Sequence, residues 1–219
     1  MKNRSSWTFE AGGSNNYVSN TRLNFWIGGW KGDPGESDFW MGGEVSSRIG
    51  DKIQLSLAPR FSLNDDNYQY VDVIDSAGPS ETFGKSYLFA RLEQSNISLQ
   101  IRFNYYFTPD LSLQVYGEPF AASGKYIDEG ILAEAGNNEF IPTGNDRSDL
   151  DFGYQSFRSN LVLRWEYMPG STAYFVWQRN LSDNKDPGRT VRPSNLFDSF
   201  GSTGTDFIGI KISSWISVS

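Results

Sequence analysis

The sequence contains no cysteine and no histidine. The first absence removes disulfides and thiolate chemistry. The second removes the commonest general base and metal ligand, and with it any serine–histidine–aspartate triad. No run of about 18 apolar residues occurs, so no helix is expected to cross a membrane. Met1-Lys2-Asn3-Arg4-Ser5 leads into polar sequence without the apolar core of a secretory signal peptide. A basic excess is lacking too: 19 Lys and Arg stand against 26 Asp and Glu, for a net charge of −7. Nucleic acid, which needs a basic footprint, is therefore not expected as a partner. No helix-period segment of useful length is present, and nothing points to a cofactor, a metal or a catalytic residue.

What the chain does have is alternation. From Ile97, every second residue is apolar: Ile97, Leu99, Ile101, Phe103, Tyr105 and Phe107. Ser98, Gln100, Arg102, Asn104 and Tyr106 lie between them. After Thr108-Pro109-Asp110 the pattern restarts, with Leu111, Leu113 and Val115 against Ser112, Gln114, Tyr116 and Glu118. Strand side chains alternate faces, so this stretch predicts two long antiparallel strands, one face greasy and the other polar. Runs of about ten residues match the roughly 9–11 that a tilted strand needs to cross a bilayer, against a usual strand of about 5–6. The greasy face ends in aromatics, as the girdles of membrane barrels do. Hydrophobic content of 38% with aromatics at 16% fits a strand set in which only one face meets lipid. A soluble β-sandwich, with the same face on a protein core, is the competing expectation.

The same alternation recurs along the 219 residues, read as a single β-barrel domain over 1–219. Strands are expected near Trp7–Ala11, Asn20–Trp30, Phe39–Arg48, Lys52–Ser62, Tyr68–Ile74 and Phe83–Leu92. Others are expected at Asp151–Tyr167, Thr172–Arg179 and Asp206–Ile216. Turns are expected at Asn64-Asp65-Asp66-Asn67 and Glu93-Gln94-Ser95-Asn96, and a loop at Asp75–Glu81. Pro59 marks an edge or bulge, because proline lacks a ladder donor. Long loops are expected near 120–149, with a small hairpin from Lys125–Ala135 and Glu139–Pro142, and near 181–205. Gly50-Asp51, Thr108-Pro109-Asp110 and Met168-Pro169-Gly170-Ser171 are the short turns. Short turns on one side and long loops on the other suit an antiparallel up-and-down transmembrane barrel of about 11–12 visible strands. Eleven main strands is an odd number where about even counts are the rule, so further strands are expected upstream.

Several stretches resemble one uncharacterised family. They are Ser86-Tyr87-Leu88-Phe89-Ala90-Arg91-Leu92-Glu93-Gln94, then Thr108-Pro109-Asp110-Leu111-Ser112-Leu113-Gln114-Val115-Tyr116. Pro119-Phe120, Ser123-Gly124-Lys125-Tyr126, Leu163-Arg164-Trp165-Glu166-Tyr167, Pro169-Gly170-Ser171-Thr172 and Val176-Trp177 continue it in order. The family is the C-terminal barrel domain that follows a family-nine-like carbohydrate-binding sandwich in outer-membrane proteins of Gram-negative bacteria. The resemblance implies an outer-membrane location, with the lipid bilayer and the barrel-insertion machinery as partners and carbohydrate as a ligand. It implies a channel, transporter or anchor and carries no catalytic residues. The sugar-binding domain has no counterpart in these residues. The chain departs from the usual aromatic last residue: Trp215 is followed by Ile216-Ser217-Val218-Ser219.

The polar face collects Glu44, Arg60, Arg91, Arg102, Glu118, Arg164, Glu166 and Lys211. These form either a charged lumen that selects a polar solute such as a sugar, or a salt-bridged network that fills a narrow barrel. Glu44, Glu118 and Glu166 are the carboxylates from which a glycoside-hydrolysing pair would be drawn, the least favoured of the activities. Ser182-Asp183-Asn184-Lys185-Asp186-Pro187-Gly188 faintly resembles a calcium loop, but Lys185 occupies a ligand position and no Glu closes it. Trp7, Trp26, Trp30, Trp40, Trp165 and Trp177 can either stack on sugars or form girdle and core packing.

Overall fold

The computed structural model describes residues 5–15, 18–32, 35–75, 78, 83–134 and 139–216. Among them, ten strands form one antiparallel sheet. In chain order they are β1 (Ser6–Ser14), β2 (Thr21–Gly32), β3 (Ser37–Ile49), β4 (Ile53–Ile74) and β5 (Ser86–Thr108). Then come β6 (Leu111–Leu132), β7 (Phe140–Pro142), β8 (Phe152–Met168), β9 (Ser171–Asn184) and β10 (Gly204–Ser213). Each strand lies beside its sequence neighbour, except that short β7 folds back on the end of β6 and β8 takes the place beside β6. This is up-and-down topology. The sheet is not closed, however: among the described residues β1 pairs only with β2, and β10 only with β9.

The strand count is lower than alternation suggests, for a specific reason. Asn64-Asp65-Asp66-Asn67 and Glu93-Gln94-Ser95-Asn96 have turn composition, yet the backbone runs straight through both. Asp65 lies opposite Glu93 in the ladder, and the register slips only beyond Asp66. Their polar side chains satisfy each other instead of bending the chain: Arg91 donates to both Asp65 oxygens, and Asn64 donates to Asp38. Two expected strand pairs thus become β4 and β5, of 22 and 23 residues. At roughly 3.4 Å per residue each spans about 75 Å, far more than a bilayer needs.

Two loop expectations shift similarly. β6 continues to Leu132 and forms the expected small hairpin with β7, Ile131 opposite Ile141. β9 continues to Asn184, and the segment after it carries a short helix, α1 (Pro193–Asp198), and a 3-10 turn at Ser199–Gly201. Pro59 sits in the middle of β4, opposite Leu99. Its missing N–H is accommodated on the other side, where the β3 ladder runs from Gly42 to Val45 without pairing the residues opposite Pro59 and Ala58. Most of the Asp75–Glu81 loop and the final Ser217–Ser219 lie outside the described residues.

Residues directly opposite in an antiparallel ladder share a face. One row across the sheet reads Leu55, Phe103, Val115, Leu161, Trp177, Ile208. The adjacent row on the other face reads Arg22, Ser46, Ser56, Arg102, Tyr116, Asn160, Gln178. The sheet is therefore a single layer with an apolar and a polar side. No second sheet covers the apolar side among the described residues. Leu23, Phe25, Met41, Val45, Ile208, Ile210 and Ile212 are exposed there, Ile210 at 73%.

A candidate binding face on the polar side of the sheet

Glu44, Arg60, Arg102, Glu118, Arg164, Glu166 and Lys211 all fall on the polar face. Gly42 opposes Arg60, which places Glu44 in phase with it on β3. Arg102 opposes Tyr116, Lys211 opposes Tyr174, and Tyr174 opposes Arg164. Arg91 is the exception. It is in phase with Glu93, Ile97 and Ile101, so it lies on the apolar side, where it meets Asp65 and Glu93 at 2.5 and 3.2 Å. The uninterrupted run of β5 through Ser95 sets that phase. A turn at that point, as composition suggests, would have released it.

A cavity of about 450 Å³ opens on the polar side over β2 to β5, lined by Trp26, Glu44, Gln54, Ser56, Arg60, Gln100, Arg102 and Asn104. Its charges are held mostly by neutral partners. Ser56 donates to Glu44 at 2.8 Å. Glu118, further along, accepts from Tyr116 and from Gln100. The Arg60 guanidinium stands 5.9 Å from the Trp26 ring, and that of Arg102 5.5 Å from Tyr116. Within this set the ion pair among the described residues is Arg164–Glu166, at 2.8 Å. A network of this kind keeps cations and carboxylates available to a solute instead of locking them together.

The tryptophans divide between the faces. Trp7, Trp165 and Trp177 are on the apolar side, Trp165 5.9 Å from Tyr167. Trp165, with Tyr105 and Phe107, 4.6 Å apart, forms an aromatic row at the short-turn end, whereas Trp177 is level with Phe103 and Trp7, opposite Lys31, stands at the other end. Trp26, Trp30 and Trp40 are on the polar side. Gly42 opposes Trp26 and Gly28 opposes Trp40. Each indole lies flat across its glycine, in the space a Cβ would fill. Only glycine permits that, and the result is two aromatic planes laid on the polar wall.

The hydrolase carboxylates are not brought together. Glu44 on β3 and Glu118 on β6 are three strand spacings apart, about 14 Å across the sheet. Glu118 opposes Arg158, and Glu166 is about 27 Å further along β8. Both exceed the roughly 5–9.5 Å of glycosidase pairs. In the calcium-like loop, Lys185 lies 3.9 Å from Asp183, and no cluster of three metal-ligating side chains occurs among the described residues.

Two residues on the polar face escaped the sequence reading although the alternation marks them. Arg158 is in phase with Arg164, and Asp38 in phase with Glu44. The segment after β9 gave no such signal. It lies back against the apolar side of β5, β6 and β8, beyond the apolar band. Val191 donates its N–H to Ser95 Oγ at 3.0 Å, Val191 and Leu196 are buried, and Phe200 packs on Phe157 at 4.5 Å. At the same end of the molecule, Arg147 bridges Glu129 at 3.1 Å and Asp149 at 2.9 Å. Hydrogen bonding to the Arg147 guanidinium holds the Asp149 carboxyl below its ordinary range, and the same contacts raise Arg147.

These features define a class: a single-layer, up-and-down antiparallel sheet with one apolar and one polar face. The chain belongs to the family described as a domain of unknown function, DUF5916, whose model matches residues 1–218. No curated protein and no solved structure matches the chain.

Proposed function

We propose that this sheet is part of the wall of a β-barrel in the outer membrane of a Gram-negative bacterium. Its apolar face meets lipid and its polar face lines a lumen. It serves as a channel, transporter or anchor in carbohydrate handling, and the insertion machinery of that membrane is its assembly partner.

One observation carries the reading: a row of large apolar side chains crosses the sheet without a covering layer among the described residues. A sandwich would bury that row under a second sheet. In water it would be an aggregation surface, whereas in hydrocarbon it is matched. The band has the right height. On β5 it runs from Tyr105 to Ile97 and on β8 from Trp165 to Phe157. Beyond it the same face turns polar, with Asp65, Glu93, Arg91 and Lys125. The carbohydrate assignment rests on Trp26, which lines the cavity on the polar wall with Glu44, Arg60 and Gln54, since sugars are held by aromatic stacking with hydrogen bonds around the ring edge.

Purified protein is expected to require micelles or vesicles; a monodisperse species in detergent-free buffer would overturn the membrane assignment. Trp26→Ala is expected to weaken any measured oligosaccharide binding at least tenfold, with Trp165→Ala as the control that leaves it unchanged. Equal effects of the two would remove the polar wall as the sugar site.

A further inference from the structure

Between the segment after β9 and the apolar side of β6 and β8 lies a second cavity, of about 470 Å³. Its floor is Ala121, Ser123 and Gln155, and its wall carries Lys185, Arg189 and Arg192. Gln155, in that floor, is 2% exposed, and its Oε1 is buried without a hydrogen-bond donor. A buried amide oxygen left without a donor is destabilising, and a donor brought by a bound molecule would relieve it. Asp186 and Asp198 also line the cavity, Asp186 lying 3.6 Å from Arg189. Lys185 is also 3.9 Å from Asp183, which leaves Arg192 as the cation of this wall without an ion pair among the described residues.

The position of the cavity selects its occupant. Gln155 belongs to the row Ile27, Met41, Phe61, Ile97, Ala121, so it stands where the apolar band ends. Phe200 caps the band by packing on Phe157, and Phe197 projects at 71% exposure from the same segment. A lipid whose chains lie along the band would present its headgroup at this level. We infer that the cavity binds an anionic, hydroxyl-bearing lipid headgroup: its phosphate pairs with Arg189, Arg192 and Lys185, and a hydroxyl donates to Gln155 Oε1. This inference rests on the apolar band facing lipid.

The test is native mass spectrometry of the protein taken from phosphatidylcholine nanodiscs doped with a phosphorylated diglucosamine glycolipid. The wild type is expected to retain the glycolipid over phosphatidylcholine. Arg189→Gln/Arg192→Gln is expected to lose that preference about tenfold. Gln155→Leu, its folding checked by retained heat-modifiability on gels, is expected to reduce the preference for the glycolipid over phosphatidic acid, which lacks the headgroup hydroxyls. Vesicle flotation reads the membrane assignment separately. Protein that does not float overturns both readings. Protein that floats, yet retains lipids indiscriminately or identically in the variants, overturns this inference alone.

Discussion

Ser95 shows how much one hydroxyl can decide. It is 4% exposed and accepts the Val191 N–H, one of several hydrogen bonds that tie the segment after β9 to the sheet, with Gly188 N–H to the Phe152 carbonyl among the others. Ser95→Ala leaves that buried N–H without an acceptor, at a cost of about 1–3 kcal/mol. Tryptic cleavage after Arg189 is expected to accelerate markedly, while the strands stay protected; unchanged cleavage would mean that the segment's other contacts hold it without this bond. A second residue-scale expectation concerns acid. The Asp149 carboxyl titrates below its ordinary range because Arg147 holds it ionised. Its contribution is therefore present above the unfolded carboxylate pKa and is lost as pH falls through the lower folded value. The protection of the Leu150 and Asp151 amides, measured against the intrinsic exchange rate at each pH, is expected to fall below about pH 4. In Arg147→Gln that protection is expected to be low already at neutral pH and not to change over that range.

At the scale of the strand, alternation is a strong guide, and it places seven of the proposed polar-face residues together. Its weakness is length. Asp65, Asp66, Glu93 and Gln94 have turn composition, but a long sheet beyond an apolar band needs charged residues in its strands, and these pair across the ladder instead of bending. Composition alone does not separate the two outcomes, so the phase at Arg91 was lost with the strand boundary. Neighbours on one strand test the two faces directly. Ile101→Arg puts a charge on the apolar side and is expected to cost about 2–4 kcal/mol of folding stability in vesicles, as midplane arginines do. Gln100→Arg, one residue away on the polar side, is expected to stay within about 0.5 kcal/mol. Equal losses would contradict the division of faces.

At the scale of the molecule, the decisive property is closure. Sheet order and antiparallel sense follow from short turns and alternation, but whether the first strand meets the last is a long-range property that no local pattern encodes. β1 and β10 each leave one side of their backbone without a ladder. In hydrocarbon such an edge has no water to satisfy it, so under the membrane reading each must find a strand partner. Exchange at Phe9 and Ile210 in vesicles is expected to be as slow as at Ile101; fast exchange at either would mean an edge that never pairs.

Strand lengths fall from 22 and 23 residues in β4 and β5 to 9 in β1 and 10 in β10. The rim is therefore not level: it rises to a gable over the middle of the sheet and slopes away on both flanks. With the short turns on the periplasmic side, as in bacterial barrels, that gable would stand clear of the bilayer on the outer side. A bulky cargo would reach the mouth over a low shoulder, not from straight above, and antibodies or phage would first touch the peak.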